Sequence, residues 1–290
     1  MTNFNICIIG GETEKGAFLE LAELIHFSLI ELDYVSKISI NHIEVNDYVN
    51  IIIGAHQLDP KSYDILPPST IILNTEQIAG LITHGNMDAH SKYYYWLERL
   101  ISLAKRFHIW DYSEKNIEIF SLLGFPQVKL FPIGFQPKLQ RIKPVEQDID
   151  VLFYGSINAR RLHIFNELKE LGLNVEHLFN VFGEDRDRHI ARAKVVLNLH
   201  YFDSKIFEIV RCFYLMTNGV AIVSEIDKDT QIAERYLNAI VPADYSELAQ
   251  KCKMLVDNPE LRAQLQLNAL EIIKEQPQAA LLRRLLSETA

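Results

Sequence analysis

The residues best suited to chemistry lie in the second half of the chain. Glu208 belongs to a helix-like stretch, 205–216, that runs to Asn218-Gly219 and then to a short apolar strand, 220–224, ending in Ser224. A carboxylate near the head of a helix can accept both hydroxyls of a ribose, and the positive end of the helix can face a diphosphate. Upstream, His200 and Tyr201 follow the apolar run 195–199 and so stand at a strand's carboxyl end, where open α/β sheets hold ligands. Lys205 and Arg211 are placed to meet phosphate oxygens, Asp203 or Ser204 to cap the helix, and Tyr201 or Phe202 to stack on a base. The plain alternative is a surface ion pair between Glu208 and Arg211, three residues apart on one helix face.

A second constellation follows the strand-like run 151–154. Gly155 lets the backbone come close to a ligand. Ser156 and Asn158 can cap the next helix or bond phosphate oxygens. Arg160 and Arg161 stand at that helix's start, where a cation opposes the positive end of the macrodipole. That arrangement makes sense if one guanidinium forks onto a diphosphate; otherwise the two are solvated arginines on a capped helix. In the first half, Gly10 and Gly11 follow the first strand and can admit a phosphate or a sugar, or simply turn the chain. Past later strands of that half come Glu76, His84 and Asp111. Each has the chemistry of a general base that takes a proton from an attacking hydroxyl. Asp111-Tyr112-Ser113 reads equally as a helix cap.

These residues need a frame, and the apolar patterning supplies one. Strand-like runs at 5–9, 49–54, 70–74, 107–110 and 128–131 alternate with helices at 17–31, 91–104 and 113–122. The alternation restarts with strands at 151–154, 175–178, 195–199, 220–224 and 239–241 and helices at 161–171, 186–193 and 205–216. Helices at 245–256, 259–273 and 278–286 close the chain. Continuous Ile/Val/Leu runs suit strands buried on both faces of parallel sheets. The expected fold is α/β, with two Rossmann-like doubly wound domains facing each other across a cleft. The expected boundaries are 1–135 for the first domain, 136–150 for a proline-rich linker, 151–275 for the second domain, and 276–290 for a final helix.

Composition narrows the function. The chain has 290 residues, 48% hydrophobic and 23% charged, which suits two folded domains. A formal net charge of −9 argues against nucleic-acid binding by the whole surface. No apolar run approaches the roughly 20 residues of a membrane span. The first residues read as a strand and not as a signal peptide, and the three dispersed cysteines read as reduced and buried, so a cytoplasmic protein is expected. No metal-binding motif presents itself, and the Gly10-Gly11 turn does not make a GxGxxG fingerprint.

With these residues in hand, the chain resembles the GT-B glycosyltransferases. The likeness rests on Tyr154-Gly155-Ser156 with Arg160 or Arg161, on Phe207-Glu208, on Asn218-Gly219-Val220-Ala221-Ile222-Val223-Ser224, and on Pro132-Ile133-Gly134 as the linker element. The resemblance implies sugar transfer from a nucleotide-diphosphate donor held by the second domain to an acceptor held mainly by the first. It implies no cofactor and no structural metal, and a final helix that crosses back to the first domain. The implied donor contacts are Gly155, Ser156, Asn158, Arg160, His200, Tyr201, Lys205, Glu208 and Arg211. Two positions depart from the family pattern. His200 stands where the first carboxylate of an acidic pair is usual. Tyr214 stands at the usual distance before Gly219, with Glu208 farther upstream. The rival readings are a nucleotide-sugar-binding module without turnover, and another Rossmann enzyme such as an NAD-dependent dehydrogenase or an epimerase.

Overall fold

In a computed structural model, residues 2–85, 91–201 and 206–289 are described, the side chains of 83–85 excepted. The chain forms two compact units, Met1–Gln136 with Gln278–Ala290, and Pro137–Pro277. The first unit runs β1 (Asn3–Ile8), α1 (Glu12–Glu31), β2 (Val35–Ile40), β3 (Tyr48–Ile53), β4 (Ile71–Asn74), α2 (Ile78–Gly85), α3 (Lys92–Ala104), β5 (His108–Asp111), α4 (Glu114–Leu122) and β6 (Lys129–Leu130). Its six parallel strands are ordered β2-β1-β3-β4-β5-β6. The central strands are the apolar ones: Ile51, Ile52 and Ile53 are fully buried, and a core of Cys7, Ile52, Ile72, Leu103, Ile109 and Phe120 joins the sheet to its helices. Side chains set the helix starts, as where the Ser91 Oγ accepts from the Tyr93 N–H at 3.2 Å and the Ser113 Oγ from the Asn116 N–H at 3.3 Å.

The second unit runs β7 (Ile149–Tyr154), α5 (Ala159–Glu170), β8 (Val175–Leu178), α6 (Gly183–Arg192), β9 (Ala193–Asn198), α7 (Ile209–Thr217), β10 (Ile222–Glu225), β11 (Val241–Ala243), α8 (Leu248–Asp257) and α9 (Pro259–Lys274). Its parallel sheet is ordered β11-β10-β9-β7-β8 over a core that includes Val151, Phe153, Leu168, Val195, Leu197 and Leu248. The final helix, α10 (Gln278–Thr289), belongs to the first unit. Gln278 fastens it: its Oε1 accepts from the Gly134 N–H at 2.6 Å, its Nε2 donates to the Pro132 carbonyl at 3.1 Å, and its own N–H donates to the Phe135 carbonyl at 2.8 Å. Farther along, the Trp110 indole donates to Thr289 Oγ1 at 3.1 Å. Among the described residues no helix is long and apolar enough to cross a membrane.

Several elements differ from the sequence reading, and helix α2 is one that was not anticipated. Strand β2 was not anticipated, because Val-Ser-Lys-Ile-Ser-Ile is half polar; it is the sheet's edge, wetted on one side. The helix expected over 205–216 begins only at Ile209. Ile206 forms a bridge with Gln231, and a tight turn from the Ile209 N–H to the Phe207 carbonyl (2.8 Å) is centred on Glu208, the helix N-cap. The strand expected at 239–241 starts at Val241, after a 3-10 turn over Glu234–Asn238, and it tolerates Pro242 because it lies at the sheet edge.

The Asn218 side chain straps the segment after Pro137 to the rest of the second unit. Asn218 Oδ1 accepts from the Arg141 and Ile142 N–H groups at 2.8 and 2.9 Å, and its Nδ2 donates to the Leu139 carbonyl at 3.0 Å. Substituting Asn218→Ala is expected to lower stability by roughly 1–3 kcal/mol, the scale of leaving such partners unsatisfied. It should also speed tryptic cleavage after Lys138 and Arg141. Urea midpoints and digestion rates equal to those of the wild type would count against the strap.

Candidate functional site

In the second unit the chain leaves β7 for β8 on one side and later places β9 on the other, so the carboxyl ends of β7 and β9 flank a topological switch point. That is where open α/β sheets bind ligands. The loop after β7 carries Gly155, Ser156 and Asn158; the segment after β9 carries His200, Tyr201 and Glu208. Gly155 has φ +135°, a conformation that glycine adopts without strain, and an added Cβ would lie 3.4 Å from Arg211 Nη2 and 3.6 Å from Arg161 Nη1. Asn158 is the N-cap of α5. Its Oδ1 accepts from the Arg161 N–H at 2.9 Å, while its Nδ2 donates to the Tyr201 carbonyl at 3.0 Å, joining the two loops.

The adjacent arginines divide their work. Arg161 is only 3% exposed, and its guanidinium donates to the carbonyls of Ser156 (2.7 Å), Leu199 (2.5 Å) and His200 (3.3 Å). Burial, and then the neighbouring Arg211 charge, push it down to about 9, with Glu208 and Tyr201 acting the other way; it remains a cation at neutral pH. Arg160 forks instead onto buried Glu225, with Nη1 at 2.7 Å from Oε2 and Nη2 on Oε1, and lies over the Tyr245 ring at 4.0 Å. Glu225 Oε2 also accepts from the His200 N–H at 3.2 Å, and His200 itself is 1% exposed. Half-buried Arg211 donates through Nη1 to Asn198 Oδ1 at 2.8 Å and turns its other nitrogen toward Gly155. With Arg160 neutralised by Glu225, Arg161 and Arg211 leave a cationic spot beside a glycine turn and two helix starts. Such a spot attracts an anion.

The first unit has its own switch point, between β1 and β3. Gly10 and Gly11 follow β1, and the Gly11 N–H donates to Glu14 Oε2 at 2.9 Å. After β3 comes His56, 3% exposed, whose Nε2 lies 3.6 Å from Glu76 Oε1 and whose ring sits 4.6 Å from that of Trp96. Burial, helped by Arg99 and opposed by Glu14, holds His56 down to about 4, so the imidazole is neutral near pH 7. Glu76 is partly exposed at the end of β4 and can take up a proton from a bound hydroxyl. Asp111 is fully buried. Its oxygens accept from Asn74 Nδ2 (2.7 Å), the Ser113 N–H (2.8 Å) and Asn116 Nδ2 (3.1 Å). Among the described residues no three His, Cys, Asp or Glu side chains form a metal-holding group.

No family model matches the chain. Relatives come from Acanthamoeba polyphaga mimivirus. Uncharacterized protein L137 is 30% identical over 206 residues, 68% of this chain and 26% of its own length. Uncharacterized protein L140 is 25% identical over 238 residues, 79% of this chain and 73% of its own length. The chain thus spans about a quarter of the first of these relatives and most of the second. Solved structures match it nearly end to end. An alpha-glucosyltransferase in complex with UDP and a 13-mer DNA containing a HMU base has a TM-score of 0.65 at 11% identity, covering 99% of both chains. HepE from Anabaena, in complex with UDP and glucose, scores 0.63 at 14% identity, again covering 99% of both. WaaG, a glycosyltransferase involved in lipopolysaccharide biosynthesis, scores 0.61 at 10% identity over 97% of this chain and 98% of its own. The fold is GT-B.

Within this GT-B fold the predicted residues are only partly brought together. Gly155, Ser156, Asn158, Arg160, His200, Tyr201, Glu208 and Arg211 gather at one end of the second sheet. Lys205, the side chain of His84, and the cap residues Asp203 and Ser204 lie outside what the structure describes. Gly10, Gly11 and Glu76 line the carboxyl end of the first sheet, while Asp111 is enclosed by its hydrogen-bond partners. Sequence reasoning missed His56 and Glu225. A usable signal for His56 was its place two residues past Gly54, at the end of an apolar strand.

Burial pushes Asp111 up to about 7 from 3.8, opposed by the donors on Asn74, Ser113 and Asn116. Between those values the folded chain keeps a proton that the unfolded chain has released. The stabilisation from this group is therefore complete below 3.8 and is lost as pH rises through about 7. Replacing Asp111→Asn removes that slope, so the variant's stability relative to wild type is expected to improve from pH ~4 to ~8 in urea titrations. A difference that stays constant with pH would count against this assignment.

Proposed function

We propose that the chain is a glycosyltransferase that moves a sugar from a nucleoside-diphosphate donor, held by the second unit, to a hydroxyl held by the first. One observation carries the reading: the Arg161 and Arg211 guanidiniums and the Gly155 turn converge at the β7/β9 switch point, beside the start of α7. The likeness to UDP-bound glycosyltransferases supports it. In the reaction, the bond between the sugar's anomeric carbon and the diphosphate oxygen breaks, and the carbon bonds the acceptor oxygen. The departing diphosphate gathers negative charge, and main-chain N–H groups with fixed guanidiniums stabilise it without reorganising. Glu208 at the head of α7 takes the ribose hydroxyls, and Tyr201 lies near the nucleobase. The acceptor's proton passes to Glu76, with neutral His56 beside it.

The acceptor suits an uncharged molecule better than a polyanion. The first unit holds 17 Asp and Glu against 11 Lys and Arg, so its surface repels a phosphodiester backbone. This sets the chain apart from the neighbour solved with DNA.

Arg211→Ala is expected to weaken UDP binding by about 10- to 100-fold, measured by calorimetry, which is about 1.4–2.8 kcal/mol. Affinity unchanged within twofold would remove Arg211 from the site. A thermal-shift screen of nucleoside diphosphates, nucleotide sugars and NAD tests the class itself: a shift with NAD alone would move the chain to the dehydrogenases or epimerases. With an active donor and acceptor pair in hand, Glu76→Gln is expected to lower kcat by about 10²–10⁴ while leaving donor affinity unchanged. A kcat within threefold of wild type would exclude Glu76 as the base.

A further inference from the structure

His177 has no task in the scheme above, yet its ring is held in place and touches the Gly155 turn. It lies on β8 opposite Phe153, stacks on the Phe153 ring at 5.9 Å and 22°, and meets the Phe165 ring at 5.8 Å and 34°. Its Nε2 is 2.7 Å from the Gly155 carbonyl oxygen. A carbonyl can only accept, so Nε2 carries the proton. The Gly155 N–H is fixed as well, donating to the Leu178 carbonyl at 3.0 Å.

A trans peptide is planar, with its C=O and the following N–H pointing in opposite directions. Holding the Gly155 carbonyl against β8 therefore turns the Ser156 N–H away from β8. The N–H groups of Ser156, Ile157 and Asn158 make no hydrogen bond among the described residues. They belong to the turn whose glycine lies within 3.4 Å (Cβ position) of Arg211 Nη2. Glycine moves between backbone regions at little cost, so this peptide has a second orientation in reach. In that orientation the Gly155 oxygen replaces the Ser156 N–H, facing the cations and repelling an incoming anion.

We propose that His177 is a positioning residue: its Nε2–H fixes the Gly155–Ser156 peptide so that the Ser156 amide, and not the Gly155 carbonyl, is presented to the donor's diphosphate. This rests on the donor-site reading of the second unit. It adds a residue from a neighbouring strand that never touches the substrate but decides the polarity of the turn that does.

Two variants test it. His177→Phe keeps a ring between Phe153 and Phe165 but has no donor. His177→Gln restores an N–H of similar reach. Two quantities are read: the Ser156 amide resonance of the free protein by NMR, and the affinity for UDP and GDP by calorimetry. In His177→Phe the Ser156 resonance is expected to move and nucleotide affinity to fall tenfold or more, with a thermal midpoint close to wild type. In His177→Gln the Ser156 resonance returns toward its wild-type position and the affinity to within about threefold, a rescue that mere filling of space would not give. A Phe variant with an unmoved Ser156 amide, or one that binds nucleotide as wild type does, overturns the positioning role and leaves the donor site standing. A wild-type chain that binds neither nucleotide overturns the donor site itself, and the two failures are told apart in the same titrations.

Discussion

The buried guanidinium of Arg161 is the constraint on which the carboxyl-end rim of the second unit's sheet depends. A cation moved out of water costs several kcal/mol unless its donors are all used. Here the main chain takes one N–H from each of its three nitrogens: carbonyls of Ser156, Leu199 and His200 converge on one side chain, and the second N–H of each terminal nitrogen is left for other partners. The loop after β7 and the segment after β9 are thereby fixed to each other, and Asn158 repeats the connection from its own amide. The cost is raised by Arg211, whose charge repels Arg161. Glu225 is spent on Arg160 and the His200 N–H, so it does not relieve that repulsion. Glu208 offsets part of it, and a bound anion would offset more. The chain carries a formal charge of −9, so this local excess of positive charge runs against the sign of the whole.

The first unit uses the same α/β layout around an acid. Its central hub is the Asp111 side chain, enclosed by the Asn74 and Asn116 amides and the Ser113 N–H. That hub fixes Asn74, whose side chain in turn holds the Glu76 main chain through bonds of 3.0 and 3.1 Å. The Asn116 amide reaches the Glu76 carbonyl at 2.8 Å as well. Glu76 is thus held on a rigid backbone although its side chain stays accessible.

How much of this could be read in advance depends on the physics each feature uses. Strands buried on both faces show as Ile/Val/Leu runs, so β3, β4, β7 and β9 are legible. β2 is not, because an edge strand needs no such run. Arg160 and Arg161 look alike in sequence, yet consecutive residues on a helix point about 100° apart. That angle sends one guanidinium to Glu225 and the other into the loop carbonyls, and only the fold says which. His177 sits in Val-Glu-His-Leu, where nothing marks it; its role comes from the register that pairs it with Phe153 and sets it below the Gly155 turn. The start of α7 was misplaced because the bridge between Ile206 and Gln231 overrides the helical pattern of the residues before Glu208.

The spacing between Glu208 and Gly219 has a structural explanation. Helix α7 spans Ile209–Thr217, about 13 Å at 1.5 Å per residue, and ends at Asn218 before Gly219, whose φ is +63°. Tyr214, five residues before that glycine, is 2% exposed, and its hydroxyl donates to Asp187 Oδ2 at 2.6 Å while accepting from Arg141 Nε at 2.9 Å. That position is occupied in holding the 137–142 strap and α6, with burial first and then Asp187 raising the phenol's pKa. A carboxylate there would be sealed in the same network, away from the cations of the β7/β9 rim. Glu208, at the other end of the helix, acts on Arg161 through its charge. The helix therefore keeps its acid at the head, beside Arg161, and gives the position near the glycine to packing.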